Sequence, residues 1–211
     1  MEKPFRRPLP PGLKLIETLR RDPGTPPARL ERHLDRLEQS AARLGFPCDR
    51  DTARARLLEC EGDLPLRLRL TLGADGTLEV TQAPLGEVPS LWHVRLAEMR
   101  LRSDDPWLGV KSTQRVLYTA TRAALPAGVD EVLFLNERGE VVEGTITNVF
   151  LDRDGTLLTP PLSSGALPGV LRRTLLDEGR ALEAVLHAPD LEHGQLFVGN
   201  SVRGLVPARL G

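Results

Sequence analysis

The sequence predicts an α+β fold in two lobes, a small N-terminal one and a larger C-terminal one. Three observations carry that reading. Leu30, Leu34, Leu37, Ala41 and Leu44 recur at spacings of four and three, which is the apolar stripe of an amphipathic helix. Leu66, Leu68, Leu70 and Leu72 alternate with Arg67, Arg69 and Thr71, as in a strand with one buried face. The texture then changes across RSDDPWLGV, residues 102–110, beyond which short strand patterns follow one another closely. The lobes are expected at residues 1–103 and 111–211, with a linker over 104–110.

In chain order, residues 1–12 are rich in proline and are expected to be irregular. LKLIETLR, 13–20, reads as a strand. The helix over 29–44 stops at Gly45 and Pro47, which cannot continue it. A second helix is expected over 51–61 and a strand over 66–72. Ala-Asp-Gly at 74–76 turns the chain into another strand near 77–82, and a further strand covers 91–101. Past the linker the pattern predicts a helix over 113–125. Strands over 131–135, 141–151 and 156–160 follow, separated by turns at 136–139 and 152–155. A helix near 170–180 and strands near 182–187, 195–199 and 203–208 complete the chain.

The bulk numbers narrow the function. A chain of 211 residues buries a sizeable core. A formal net charge of −1 gives no global basic field, so nucleic acid is not the expected partner. Cys48 and Cys60 stand in no ligand-like spacing, and His33, His93, His187 and His193 do not cluster, so no metal site is expected. No run approaches the roughly 18 apolar residues of a membrane span, and MEKPFRRPLPPG lacks a signal-like apolar stretch. A soluble cytoplasmic protein is the expectation.

Of 28 basic residues only Lys3, Lys14 and Lys111 are lysines. Arginine replaces lysine as a solvated charge but not as a nucleophile, because guanidinium stays protonated at any ordinary pH. A primary amine can lose its proton and form a Schiff base with a carbonyl. Lys111 is the single amine between residue 15 and the C-terminus, which makes it the first candidate for chemistry, against the plainer reading of one surviving surface lysine.

Four segments stand around it in order: HLDRL (33–37), GVKSTQR (109–115), EGTITNVF (143–150), and SSGALPGV (163–170) with GNSVRG (199–204). In this order they resemble the class IV aminotransferases, the fold-type IV enzymes that use pyridoxal 5′-phosphate (PLP). That family includes branched-chain and D-amino-acid transaminases and 4-amino-4-deoxychorismate lyase, and the resemblance covers about residues 15–210. It implies a two-lobed fold with Lys111 as the Schiff-base lysine. Glu143, with Asn148 in register, would be the carboxylate that keeps the pyridine nitrogen protonated. The phosphate would meet the Val170 and Leu171 amides at a helix N-terminus, the Ser201 hydroxyl and Arg36. Glu17, Arg20, Arg102, Arg115 and Arg203 are candidates for substrate contact. Tyr118, the only tyrosine, is expected in the core. PPGLKL stands where the family usually carries a Gly-Asp-Gly stretch and an extra hairpin, which bears on the edge strand and part of the substrate wall.

The resemblance further implies a homodimer acting on a small molecule. The ending GNSVRGLVPARL is similar to that of aminodeoxychorismate lyases, so the expected reaction gives 4-aminobenzoate and pyruvate in folate biosynthesis. A branched-chain or D-amino-acid transaminase and a non-catalytic PLP-binding relative are the alternatives.

Overall fold

The computed structural model describes Phe5, residues 8–87 and residues 89–211. Residues 8–12 form a bend and a turn with no helix or strand, as expected; residues 1–4, 6 and 7 lie outside the described residues. The chain divides into two compact units. One runs up to Glu87 and takes back Val110–Gln114; the other holds the stretch ending at Gly109 together with Arg115–Gly211.

In the first unit, β1 (Lys14–Arg21), β2 (Leu66–Gly73) and β3 (Leu78–Pro84) form an antiparallel sheet in the order β1-β2-β3. Helices α1 (Leu30–Leu44) and α2 (Arg50–Leu58) accompany it. Both predicted stripes are buried: Leu34, Leu37, Ala41 and Leu44 of α1 and Leu66, Leu68, Leu70 and Leu72 of β2. Each buried leucine is worth about 1.5–3 kcal/mol. α1 ends where Gly45 takes a left-handed φ of 76° and its amide closes on Ala41 and Ala42. α2 starts on Asp49, whose carboxylate accepts the Thr52 amide at 2.9 Å.

The helix predicted over 113–125 starts later than expected. Residues 111–113 lie along the free edge of β1. Ile16 N–H donates to the Lys111 carbonyl at 2.9 Å, and Thr113 N–H donates to the Lys14 carbonyl at 2.9 Å. The Lys14 amide meets the Thr113 hydroxyl at 3.0 Å. This pairing uses the backbone groups that a helix would need, so α3 runs only from Val116 to Ala123.

The second unit is a large mixed sheet of β4 (Trp92–Leu101), β5 (Glu131–Asn136), β6 (Val141–Gly144), β7 (Asn148–Arg153), β8 (Thr156–Thr159), β9 (Ala181–Glu183), β10 (Gln195–Asn200) and β11 (Gly204–Leu210). Its order is β10-β11-β4-β5-β6-β7-β8-β9, and β7 also pairs with β10, closing six strands into a ring. Val94, Leu133, Val141, Val149, Leu151, Val198 and Val206 fill one core cluster. Helix α4 (Val170–Asp177) packs Leu171 and Leu175 against Phe150 and Ala181. β4, expected in the first lobe, belongs here because it pairs in parallel with both β5 and β11.

The strand expected over 141–151 is broken at 145–147. The cause is Glu131, fully buried at the start of β5. One carboxylate oxygen accepts the Thr145 amide (3.0 Å) and hydroxyl; the other accepts the Ile146 amide (3.1 Å) and the Thr147 hydroxyl (3.0 Å). An acceptor-only group surrounded by donors holds these residues as a turn. Gly144 permits the approach, since a Cβ there would come within 2.8 Å of Glu131 side-chain carbons.

Candidate active site

Lys111 is half-buried and fixed by its backbone on the edge of β1. Below it in the same unit is a buried ionic cluster. Glu17 of β1 faces α1, where Arg36 donates Nε at 2.9 Å and a terminal nitrogen at 2.6 Å. His33 Nδ1 stands 2.6 Å from the same carboxylate. Burial alone would raise the Glu17 pKa, but the Arg36 charge and the His33 and Arg36 hydrogen bonds outweigh it and bring it to about 2. Burial is the largest cause that lowers the His33 pKa, and the charges of Arg36 and Lys111 push the same way. The cluster holds Arg36 rigidly and keeps His33 neutral at ordinary pH.

In the other unit, Glu143 ends β6 and is buried, 6 % exposed. It is the Cα partner of Asn148 on β7. Tyr118 of α3 donates its hydroxyl to Oε1 at 2.7 Å, and the Leu167 amide donates to Oε2 at 3.0 Å. Asn148 Nδ2 donates to the Leu167 carbonyl at 3.1 Å, so the same strand pair holds the loop from both sides. That loop enters α4 through Gly169, where a Cβ would fall 1.8 Å from Asn148 Oδ1. Gly169 brings no side-chain cap, which leaves the first amides of α4, those of Val170 and Leu171, for another acceptor. Arg172, buried one turn on, anchors the helix to the Pro160 carbonyl at 2.8 Å and to Glu183.

Between β10 and β11, Asn200 Oδ1 accepts the Val202 amide at 3.0 Å and the Arg203 amide at 2.9 Å, while its Nδ2 donates to the Ile146 carbonyl at 3.1 Å. This turn carries the buried Ser201. Gly199 lies against α4, since a Cβ there would stand 2.9 Å from Leu171 Cδ2.

The second unit thus brings Glu143, Asn148, Val170, Leu171 and Ser201 onto elements that contact one another. The first brings Glu17 and Arg36 together beneath Lys111. The substrate candidates are more scattered. Arg20 grips Asp22 through two nitrogens, and Arg102 is exposed and meets Asp104 at 3.3 Å. Arg203 lies 5.4 Å from the centre of the Trp92 ring. Arg115 donates to the Thr145 carbonyl at 2.6 Å and stands 5.7 Å over the Tyr118 ring. Two residues escaped the sequence reading. Glu131 carried a signal, an acid opening the otherwise apolar strand EVLFLN. Tyr118, expected in the core, is partly buried and packs against it, edge-on to Phe134 at 5.2 Å; its hydroxyl also reaches Glu143, and its position in the sequence gave no sign of that.

The family model for class IV aminotransferases matches residues 14–210. The chain belongs to the class IV aminotransferase family. The family is PLP-dependent, and the chain is a PLP enzyme of fold type IV. It shares 47% identity with a Mesorhizobium loti protein assigned as an amino-acid aminotransferase, at a TM-score of 0.89 over 94% of this chain and 100% of that one. The 4-amino-4-deoxychorismate lyase of Pseudomonas aeruginosa is 30% identical, with a TM-score of 0.78 over 93% of this chain and 82% of that one. A Schizosaccharomyces pombe protein assigned as an aminodeoxychorismate lyase is 29% identical over 185 residues, 82% of this chain and 80% of that protein.

The residues fit the cofactor unit by unit. In the second unit a buried carboxylate, a helix N-terminus opened by glycine and a buried hydroxyl suit a pyridine nitrogen and a phosphate; in the first a half-buried amine suits an aldehyde. Among the described residues no helix is long and apolar enough to cross a membrane.

Proposed function

We propose that the protein is a 4-amino-4-deoxychorismate lyase that releases 4-aminobenzoate and pyruvate. The observation that carries the reading is the match to the S. pombe protein across four fifths of both chains. The Asn-Ser-x-Arg-Gly turn, which resembles the ending of aminodeoxychorismate lyases and is organised here by Asn200, supports the same reading. PLP, when bound, accepts into its ring the electrons of a bond broken beside the substrate nitrogen.

The chain's own residues do the rest. Lys111 would hold the cofactor through its amine and, with that amine free, would take the proton from the ring carbon that bears the substrate nitrogen. Loss of the enolpyruvyl group would then yield pyruvate and leave the aromatic amine. Glu143 would keep the pyridine nitrogen protonated. The Val170 and Leu171 amides and Ser201 would bind the phosphate, as would Arg36, which Glu17 and His33 keep in place. We assign the protein to the cytoplasm and to folate biosynthesis on the same reading.

One observation favours a class IV amino-acid transaminase instead: the 47% identity with the M. loti protein. The two reactions separate in one assay. A lyase releases pyruvate from aminodeoxychorismate with no keto-acid acceptor and leaves its cofactor as the aldehyde. A transaminase converts the cofactor to pyridoxamine phosphate with a single amino acid. Bleaching by leucine or D-alanine, with no pyruvate from aminodeoxychorismate, would overturn the lyase reading.

A further inference from the structure

Glu143 is clamped on both oxygens, and the two clamps come from different elements. The Leu167 amide on Oε2 belongs to the loop before α4, and the Tyr118 hydroxyl on Oε1 belongs to α3. An ionised carboxylate offers about four lone-pair positions. Two donors on opposite oxygens fix its plane.

The tyrosine is itself held. Its ring packs edge-on to Phe134, and its other neighbour is the Arg115 guanidinium, tied to the 145–147 turn through the Thr145 carbonyl. Burial, and then the Glu143 charge, push the phenol's pKa well above its ordinary value. The hydroxyl therefore stays protonated and can only donate to Glu143.

We infer that Tyr118 is a positioning residue that orients the Glu143 carboxylate toward the pyridine nitrogen and keeps the shared proton on that nitrogen. The inference rests on the reading of Glu143 as the nitrogen's partner. Tyr118 acts through Glu143 and touches neither substrate nor cofactor. A purely core tyrosine would use its ring and leave its hydroxyl dispensable.

The substitution that separates these is Tyr118→Phe, which keeps the ring against Phe134 and removes the donor. In the holoenzyme loaded with PLP labelled with 15N in the ring, the nitrogen resonance of Tyr118→Phe should move toward the unprotonated value. The turnover number should fall about tenfold, as for loss of one hydrogen bond to a charged group, with KM nearly unchanged. Because Tyr118 is the only tyrosine, labelling the unaltered chain with 3-fluorotyrosine gives a single 19F resonance. That resonance should shift in Glu143→Gln even without cofactor, a readout that does not depend on how Tyr118→Phe folds.

If Glu143→Gln loses the protonated nitrogen signal while Tyr118→Phe keeps both that signal and its rate, the Tyr118 inference falls and the role of Glu143 stands. A 19F resonance indifferent to Glu143→Gln would also overturn the inference. If Glu143→Gln itself keeps the protonated signal, the parent reading falls and takes the inference with it.

Discussion

Replacing Glu131 by glutamine tests how the turn between Glu143 and Asn148 is built. The change is isosteric, but it turns one acceptor oxygen into an NH2 donor inside a cage of donors. One oxygen faces the Val132 and Thr145 amides and the Thr145 hydroxyl; the other faces the Ile146 amide and the Thr147 hydroxyl. The better placement of the glutamine keeps its oxygen on the first set. The Thr147 hydroxyl can rotate to accept, but the Ile146 amide is left opposite another N–H. One buried unpaired donor costs about 1–3 kcal/mol. The remaining bonds also lose their charge assistance, so a total of about 2–4 kcal/mol is expected. For a chain of this length that is a fall of roughly 4–16 °C in Tm. Circular dichroism would follow the melt, and hydrogen exchange would locate it. Amides of residues 141–150 should exchange faster, while those of β1 and β2 stay unchanged. A Tm within 1 °C of the parent, with unchanged exchange over 141–150, would refute the claim that Glu131 holds the turn.

The buried cluster of the first unit predicts acid lability. The Glu17 pKa is depressed from 4.5 to about 2, so its contribution of roughly 3 kcal/mol is present above about pH 5 and is lost as the pH falls toward 2. The His33 pKa is also depressed, from 6.5. The unfolded chain therefore takes up that proton first, and stability begins to fall below about pH 6.5. The urea midpoint should keep dropping as the pH falls from 5 toward 3, and Glu17→Gln should flatten that part of the drop; an identical profile below pH 5 in Glu17→Gln would contradict the assignment. We further expect the active protein to sediment as a homodimer, and a monomer that turns over substrate would refute this.

Much of the fold was legible because single periodicities decided it. The leucine alternation of β2 and the four-three stripe of α1 each specify one buried face, and both faces are buried. The departures have a common cause in contacts distant in sequence. The helix read from residue 113 starts only at Val116, because the open edge of β1 captures the backbone of residues 111–113. Residues 141–151 read as one strand, yet an acid on the neighbouring strand bends them. Candidate residues could be named where a motif carried them, as at Lys111, Glu143 and GALPGV. The arginines were harder to sort, because 25 of them look alike in sequence. What distinguishes buried Arg172 from exposed Arg102 is a partner on another element.

The central claim is that Lys111 is the amine that holds PLP. Lys14, the other described lysine, is engaged by Glu79 at 2.5 Å. Borohydride reduction of the holoenzyme followed by peptide mass spectrometry should place the pyridoxyl adduct on Lys111 alone, and Lys111→Arg should form none. An adduct on Lys3 or Lys14, or one that survives Lys111→Arg, would contradict the account.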